Sequence, residues 1–204
     1  MKIGAKYSHL NGFEWLKFHH PNYWDEIEQV ISSVTAEDYR TKVSKEKGMV
    51  GKMLFSPPQL NLAFKKQLKS RGWLPAKKLG YFVTDDEKLT REIVSLDRKE
   101  QKRRIEAAGK EPIPTSNSAD FHKGRVSIEV QFGKYFSVQF DLFIKHAADY
   151  MRDRIDLGIE IVPMKCMERE MSSGPPYFEK HLNEIVRQGR IFPPVPLILI
   201  GIEP

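Results

Sequence analysis

The spacing of apolar residues changes period along this chain, and the change falls near residue 110. Before it, helical spacing dominates. Trp24, Ile27, Ile31 and Val34 recur every three or four residues, which predicts a helix from a cap at Asn22 to about Val34. Leu60, Phe64 and Leu68 repeat the pattern after Ser56-Pro57-Pro58, where proline suits a first turn, and Gly72 marks a stop. Leu89, Ile93 and Leu96 form a third stripe opened by Asp85 or Asp86. Asp97 caps a fourth helix that ends near Ala108, with Gly109 as its stop. Tyr81-Phe82-Val83 reads as a short strand. Residues 40–52, basic and glycine-containing, read as a loop or arm, and residues 111–119 are turn-rich and predicted to lack regular structure.

After residue 120 the period falls to two. Val126, Ile128, Val130 and Phe132 alternate with polar residues, the pattern of a half-buried strand. Phe140, Ile144, Ala147, Met151 and Ile155 return to helical spacing, and residues 158–164 read as a strand. Phe178, Leu182 and Ile185 mark a helix stopped near Gly189, and residues 196–202 a buried strand. Strand–helix–strand–helix–strand favours an α/β fold: a mixed central β-sheet flanked by helices. The expected organisation is one domain over residues 1–204, with a helical N-terminal half (about 1–110) packed on a core (about 111–204).

Composition narrows the function. At 204 residues and 40% hydrophobic content the chain can bury a real core, and a single cysteine excludes a disulfide framework or a thiolate-rich zinc site. The strongest apolar stretch, residues 195–202, is broken by Pro196 and falls short of the ~20 residues of a membrane span. The first residues lack the apolar core of a signal peptide, so the reading is a soluble, cytoplasmic protein with no membrane partner. A formal charge of +6 suits a polyanionic partner and equally a plain solvated basic surface.

Candidate chemistry gathers around the first core strand. Glu129 and Gln131 share a face by the period of two, and Asp120 lies nine residues upstream, far enough for a hairpin arm to bring it back to that face. Two carboxylates converging there would hold a hard cation such as Mg²⁺, with a neutral amide beside them to orient water. The same spacing also describes the solvent face of an ordinary strand.

Asp120 followed by Glu129-Val130-Gln131 resembles the active-site signature of the PD-(D/E)xK nuclease superfamily, with glutamine in the place of lysine. Residues 125–135 are similar to the BglII- and BstYI-like type II restriction endonucleases. The likeness runs nearly end to end, through Tyr7-Ser8-His9-Leu10-Asn11-Gly12, Glu106-Ala107-Ala108-Gly109-Lys110-Glu111, Met171-Ser172-Ser173-Gly174 and Arg187-Gln188-Gly189-Arg190. The resemblance implies a restriction-endonuclease-like core and a homodimeric, Mg²⁺-dependent enzyme. It would cut double-stranded DNA at palindromes with a GATC centre, expected as R↓GATCY, and leave four-base 5′ overhangs. A palindrome mirrors the two-fold axis of a dimer. By the same resemblance Asp120 and Glu129 hold the metal, joined by the main-chain carbonyl of Val130. Gln131 positions the attacking water, since an amide cannot act as a base near neutrality. Lys134, Ser172 and Ser173 would contact DNA, and a serine hydroxyl, both donor and acceptor, suits a degenerate R/Y step. Glu106 is a candidate extra acidic residue, beside its plainer reading as part of a charged helix surface. A cognate methyltransferase is implied in the same system, though not as a physical partner. Two other readings stay open: a repair-type nicking nuclease of the same fold, and a non-cleaving, sequence-specific DNA-binding protein.

Overall fold

The computed structural model describes residues 1–75, 79–117, 119–172 and 174–204. In chain order the elements are β1 (Lys2–His9), α1 (Gly12–His19), α2 (Pro21–Ser32), β2 (Lys42–Val43), β3 (Met53–Leu54), α3 (Pro57–Ser70), β4 (Leu74–Pro75), β5 (Leu79–Val83), α4 (Glu87–Ile93), α5 (Arg98–Ala107) and β6 (Ile113–Asn117). There follow β7 (Phe121–Lys123), β8 (Val126–Val130), α6 (Tyr135–Phe140), a π-helical turn (Asp141–Lys145), α7 (His146–Met151), β9 (Leu157–Pro163), α8 (Lys165–Glu168), α9 (Phe178–Gln188) and β10 (Leu197–Glu203). They form two compact units: Met1–Pro75 with Ala119–Pro204, and Ala76–Ser118.

In the first unit a six-stranded sheet runs β1-β10-β9-β8-β7-β4. The β10–β9 and β9–β8 pairs are parallel and the others antiparallel, so the sheet is mixed. One face carries Val126, Ile128, Val130, Ile159, Ile161, Ile198 and Ile200, packed with Leu16, Trp24, Ile27, Ile31, Leu60, Phe64 and Leu68 from α1, α2 and α3. The other meets Val138, Leu142, Ala147, Phe178 and Ile185. Each of these side chains gains roughly 1.5–3 kcal/mol from burial if large and aliphatic or aromatic.

Several sequence expectations change. β1 was not legible as a strand; its burial alternates weakly because it is an edge strand paired to β10 alone. Helix α2 starts earlier than a cap at Asn22: His20 is the N-cap, without a side-chain bond, and Pro21 takes the first turn, where its missing N–H costs nothing. Residues 40–52 include β2, which pairs with β3. β8 is buried on both faces rather than half-buried, because helices cover both sides of the sheet. The expected stripe Phe140–Ile144–Ala147–Met151–Ile155 is also corrected. The π-turn changes the helical phase, so Val138, Leu142 and Ala147 go inward with Asp141 and His146, while Phe140, Ile144 and Met151 are exposed and Ile155 lies beyond the helix.

The second unit shows the largest correction. Residues 111–119 were expected to lack regular structure, yet Ile113–Asn117 is β6, antiparallel to β5. Proline is tolerated because Pro114 lies opposite Phe82, whose own N–H points away from the ladder and donates to Gln101 Oε1 at 3.0 Å. Gln101 Nε2 in turn donates to the Ile93 carbonyl at 3.1 Å, so one buried amide ties strand to helices. The caps read from sequence hold: Asp86 accepts from Leu89 N–H at 2.9 Å, and Asp97 from Lys99 and Glu100 N–H.

Candidate active site

β8 is fixed at its start by Arg125, whose guanidinium donates to Asp156 Oδ2 at 2.8 Å and to the Asp153 carbonyl at 2.7 Å. From that anchor the strand carries Ser127, Glu129 and then Gln131 on one face. In the parallel register Glu129 lies beside Glu160 of β9. Both glutamates are fully buried. The helical segment after β8 closes over them, and the absence of a side chain at Gly158 allows it to approach. A Cβ there would stand 2.6 Å from His146 Cγ.

The π-turn aims Asp141 and Lys145 at the strand. Lys145 Nζ donates to Asp141 Oδ1 at 2.6 Å and to Glu129 Oε1 at 3.2 Å. Gln131 Nε2 donates to Asp141 Oδ2 at 3.4 Å. Asp120, exposed at the entry to β7, accepts from the Val130 N–H at 3.4 Å, which tethers it to β8. Glu129 Oε2 is buried with no protein partner. A cleft of about 470 Å³ opens onto Asp120, Val130, Gln131, Asn61 and Lys65.

Burial pushes the Glu129 carboxyl well above the ordinary range, with the negative charges of Asp141 and Asp120 adding and Lys145 opposing. Burial raises Asp141 too, against the bonds from Lys145 and Gln131. For Lys145 burial works downward, but Glu129 and Asp141 outweigh it and the ammonium is held more firmly charged. Glu160 is raised well above its ordinary value by burial and by Asp141, Glu129 and Asp120. Burial and nearby Lys145 lower His146 to about 3. The 3.7 Å approach of His146 Nε2 to Glu160 Oε2 therefore involves a neutral ring and is not an ion pair. His146 Nδ1 is 2.9 Å from Ser127 Oγ.

A divalent metal fits this donor set. Two carboxylates of hard oxygen, one with a buried oxygen unclaimed by the protein, leave the remaining positions to water and substrate, as Mg²⁺-type sites do. Among the described residues no group of three or more His, Cys, Asp or Glu side chains is placed to hold a metal ion by itself.

The other sequence candidates are placed as follows. Lys134 is exposed and is the N-cap of α6, with its Nζ 5.7 Å from the Phe136 ring centre. Ser172 accepts from Lys42 Nζ at 2.6 Å. The Tyr135 N–H donates to the Gly174 carbonyl at 2.8 Å, which ties the segment after β8 to the loop after α8. Ser173 lies outside the described residues. Glu106 belongs to the second unit, where it pairs with Lys102 at 3.6 Å on the surface of α5.

Sequence reasoning missed Asp141, Lys145, Glu160 and Asn61. The first two sat inside a segment read for its apolar stripe, and Glu160 inside a segment read only as a strand. Asn61, with Oδ1 buried and unpartnered, follows the core residue Leu60 and looks in sequence like any polar helix position.

The chain is thus a mixed sheet covered by helices, with Asp120 and Gln131 lining a cleft beside the buried Glu129. The family model for restriction endonuclease BglII/BglIII matches residues 5–202, and the chain belongs to that family; it is a type II site-specific nuclease. Enzymes of this family use a divalent metal. Among solved structures, BglII complexed with a DNA 16-mer is similar at 21% identity and a TM-score of 0.62, over all of this chain and 79% of that one. Free BglII is similar at 16% identity and a TM-score of 0.56, over all of this chain and 80% of that one. No curated protein matches. Among the described residues, no helix is long and apolar enough to cross a membrane.

Proposed function

We propose that this chain is a homodimeric, Mg²⁺-dependent endonuclease of the cytoplasm, acting as one domain, which cuts double-stranded DNA at R↓GATCY and leaves four-base 5′ overhangs. The observation that carries the cutting role is Glu129 Oε2, buried and free of protein partners on the strand to which Asp120 is tethered. Asp120, Glu129 and the Val130 carbonyl hold the metal. When bound, the ion neutralises charge developing on the scissile phosphate and acidifies water. Gln131 donates and accepts at the cleft and so orients the attacking water; its amide takes no proton. Lys134, Ser172 and Ser173 have the role of contacting the bases. With Lys42 donating into Ser172 Oγ, the serine keeps its own hydrogen to give. N7 is an acceptor common to adenine and guanine in the major groove, so a serine acting as donor reads a purine without choosing between them.

Digestion of unmethylated DNA of known sequence, with Mg²⁺ or with EDTA, followed by sequencing of fragment ends, tests this. Ends beginning GATC after either purine, in Mg²⁺ alone, are expected. Ends after one purine only would leave the enzyme and remove the degenerate site. Specific binding without any cutting would leave a DNA-binding protein.

The dimer reading is supported by an apolar face on the segment that closes the site. Tyr135, Phe136, Phe140, Ile144 and Met151 are exposed there, Met151 at 73%. Isolated exposed apolar residues are ordinary, but a contiguous set on one helical segment marks an interface. Sedimentation of the wild-type chain is expected to give twice the 23.7 kDa monomer mass, and Ile144→Glu to give the monomer. An Ile144→Glu chain that remains dimeric would move the interface to another surface.

A further inference from the structure

Within the described residues, Lys145 is the cation bonded to Glu129, and it reaches that carboxylate from a helix rather than from the catalytic strand. The strand itself offers a neutral amide, Gln131, two residues past Glu129. The amide bonds Asp141 Oδ2, Asp141 Oδ1 takes the Lys145 ammonium, and the ammonium takes Glu129 Oε1. This relay occupies both oxygens of Asp141 and one oxygen of Glu129. It leaves Glu129 Oε2 as the oxygen with no partner. The side chains are not a loose surface pair: the carboxylates of Glu129 and Asp141 are 1–2% exposed and Lys145 19%. The π-turn is the local device, because Asp141 and Lys145 are its first and last residues.

We infer that Lys145 is a positioning residue for DNA cleavage. It clamps Glu129 Oε1, with Asp141 as its tether, so that Oε2 alone is presented to the metal, and it supplies the positive charge that the strand lacks at Gln131. The inference rests on the endonuclease reading above. It assigns Asp141 to holding Lys145 rather than to ligating metal, since both of its oxygens are already engaged.

The test uses the full chain and the variants Lys145→Met, Lys145→Arg and Asp141→Asn. Three quantities are read: single-turnover cleavage of a GATC-centred duplex in Mg²⁺, affinity for that duplex in Ca²⁺, and Mn²⁺ binding to the protein without DNA by electron paramagnetic resonance. Lys145→Met is expected to cut about 100-fold more slowly, the cost of a misplaced reacting group. Its duplex affinity should stay within about threefold. Its Mn²⁺ affinity should rise several-fold, because a repelling charge beside the carboxylates is gone. Lys145→Arg, which keeps the charge, should recover at least about tenfold of the lost rate. A slower rate with tighter metal binding is a signature that loss of structure does not produce.

Wild-type cleavage and unchanged Mn²⁺ binding in Lys145→Met would overturn the inference. So would a joint fall in cleavage, metal affinity and duplex affinity, which would make Lys145 a structural prop. If Lys145→Met does not fold, Asp141→Asn decides: cleavage slowed about tenfold or more at unchanged duplex affinity supports the clamp, and wild-type cleavage overturns it. A wild-type chain that cuts nothing overturns both this inference and the endonuclease reading. A cutting wild type beside an equally fast Lys145→Met overturns the clamp alone.

Discussion

Asp120→Asn and Glu129→Gln are each expected to slow cleavage of a GATC-centred duplex about a thousandfold or more, while duplex binding is kept. The size follows from what the carboxylates are placed to do. In the proposed mechanism they would hold the metal whose charge stabilises the transition state, and removing a preorganised electrostatic partner from such a site costs two to three orders of magnitude or more. Binding should survive because neither side chain is a cation that neutralises phosphate. Replacing a carboxylate by an amide near a phosphate backbone removes repulsion, so affinity in the absence of metal should hold or increase. The two residues also differ in position. Asp120 is exposed and tethered by one long bond from the Val130 N–H, whereas Glu129 is fully buried and clamped by Lys145. Gel-shift titration in EDTA and single-turnover assays in Mg²⁺ check both halves. A tenfold loss of duplex affinity in either variant would assign that carboxylate to building the DNA surface, and retained cleavage would remove it from the metal site.

Glu160→Gln should stabilise the protein at neutral pH, by an amount that grows with pH. Glu160 is fully buried, both its carboxylate oxygens lack a protein partner, and its nearest basic group, His146, is held neutral. Burial and the carboxylates of Asp141, Glu129 and Asp120 raise its pKa well above 4.5. The sign follows from proton counting. Between 4.5 and the folded value, the unfolded chain has lost this proton and the folded chain keeps it. The stability associated with Glu160 is therefore complete below pH 4.5 and is lost as pH rises, at about 1.4 kcal/mol per unit until the folded value is reached. A glutamine of the same shape does not titrate. Urea denaturation in EDTA from pH 5 to 8 should give curves that nearly coincide at pH 5 and separate by about 1–3 kcal/mol at pH 7, the variant being more stable. Parallel profiles would show that Glu160 does not carry this linkage. The expected gain also bears on function, since a buried, unpaired carboxyl next to Glu129 is a stability cost located at the active site.

The strands and helices that bury one clear face were legible without coordinates. Trp24, Ile27 and Ile31, and Leu60, Phe64 and Leu68, are core residues of α2 and α3. The caps at Asp86 and Asp97 and the left-handed glycines 72 and 109 stand where local chemistry puts them. These features depend on neighbours three or four residues away, so the sequence contains all the information they need. The same holds for the relation of Asp120, Glu129 and Gln131, which are separated by one hairpin and a period of two.

The tertiary structure decided the rest, for one physical reason: the groups involved meet across elements distant in sequence. Only the parallel β8–β9 register sets Glu160 beside Glu129. Only coverage of both faces of the sheet makes Ser127 and Glu129 interior residues, where alternation had implied a wet face. The π-turn changes helical phase by a local rearrangement that no apolar pattern announces, and through it Asp141 and Lys145 reach the strand. β6 forms despite Pro114 because its partner strand tolerates a missing N–H at that position. Sequence determined which polar and ionisable groups the chain carries and where its periodic helices and strands lie; the packing of helix against sheet determined which charges are dehydrated together, and dehydration is what gives those charges their strength.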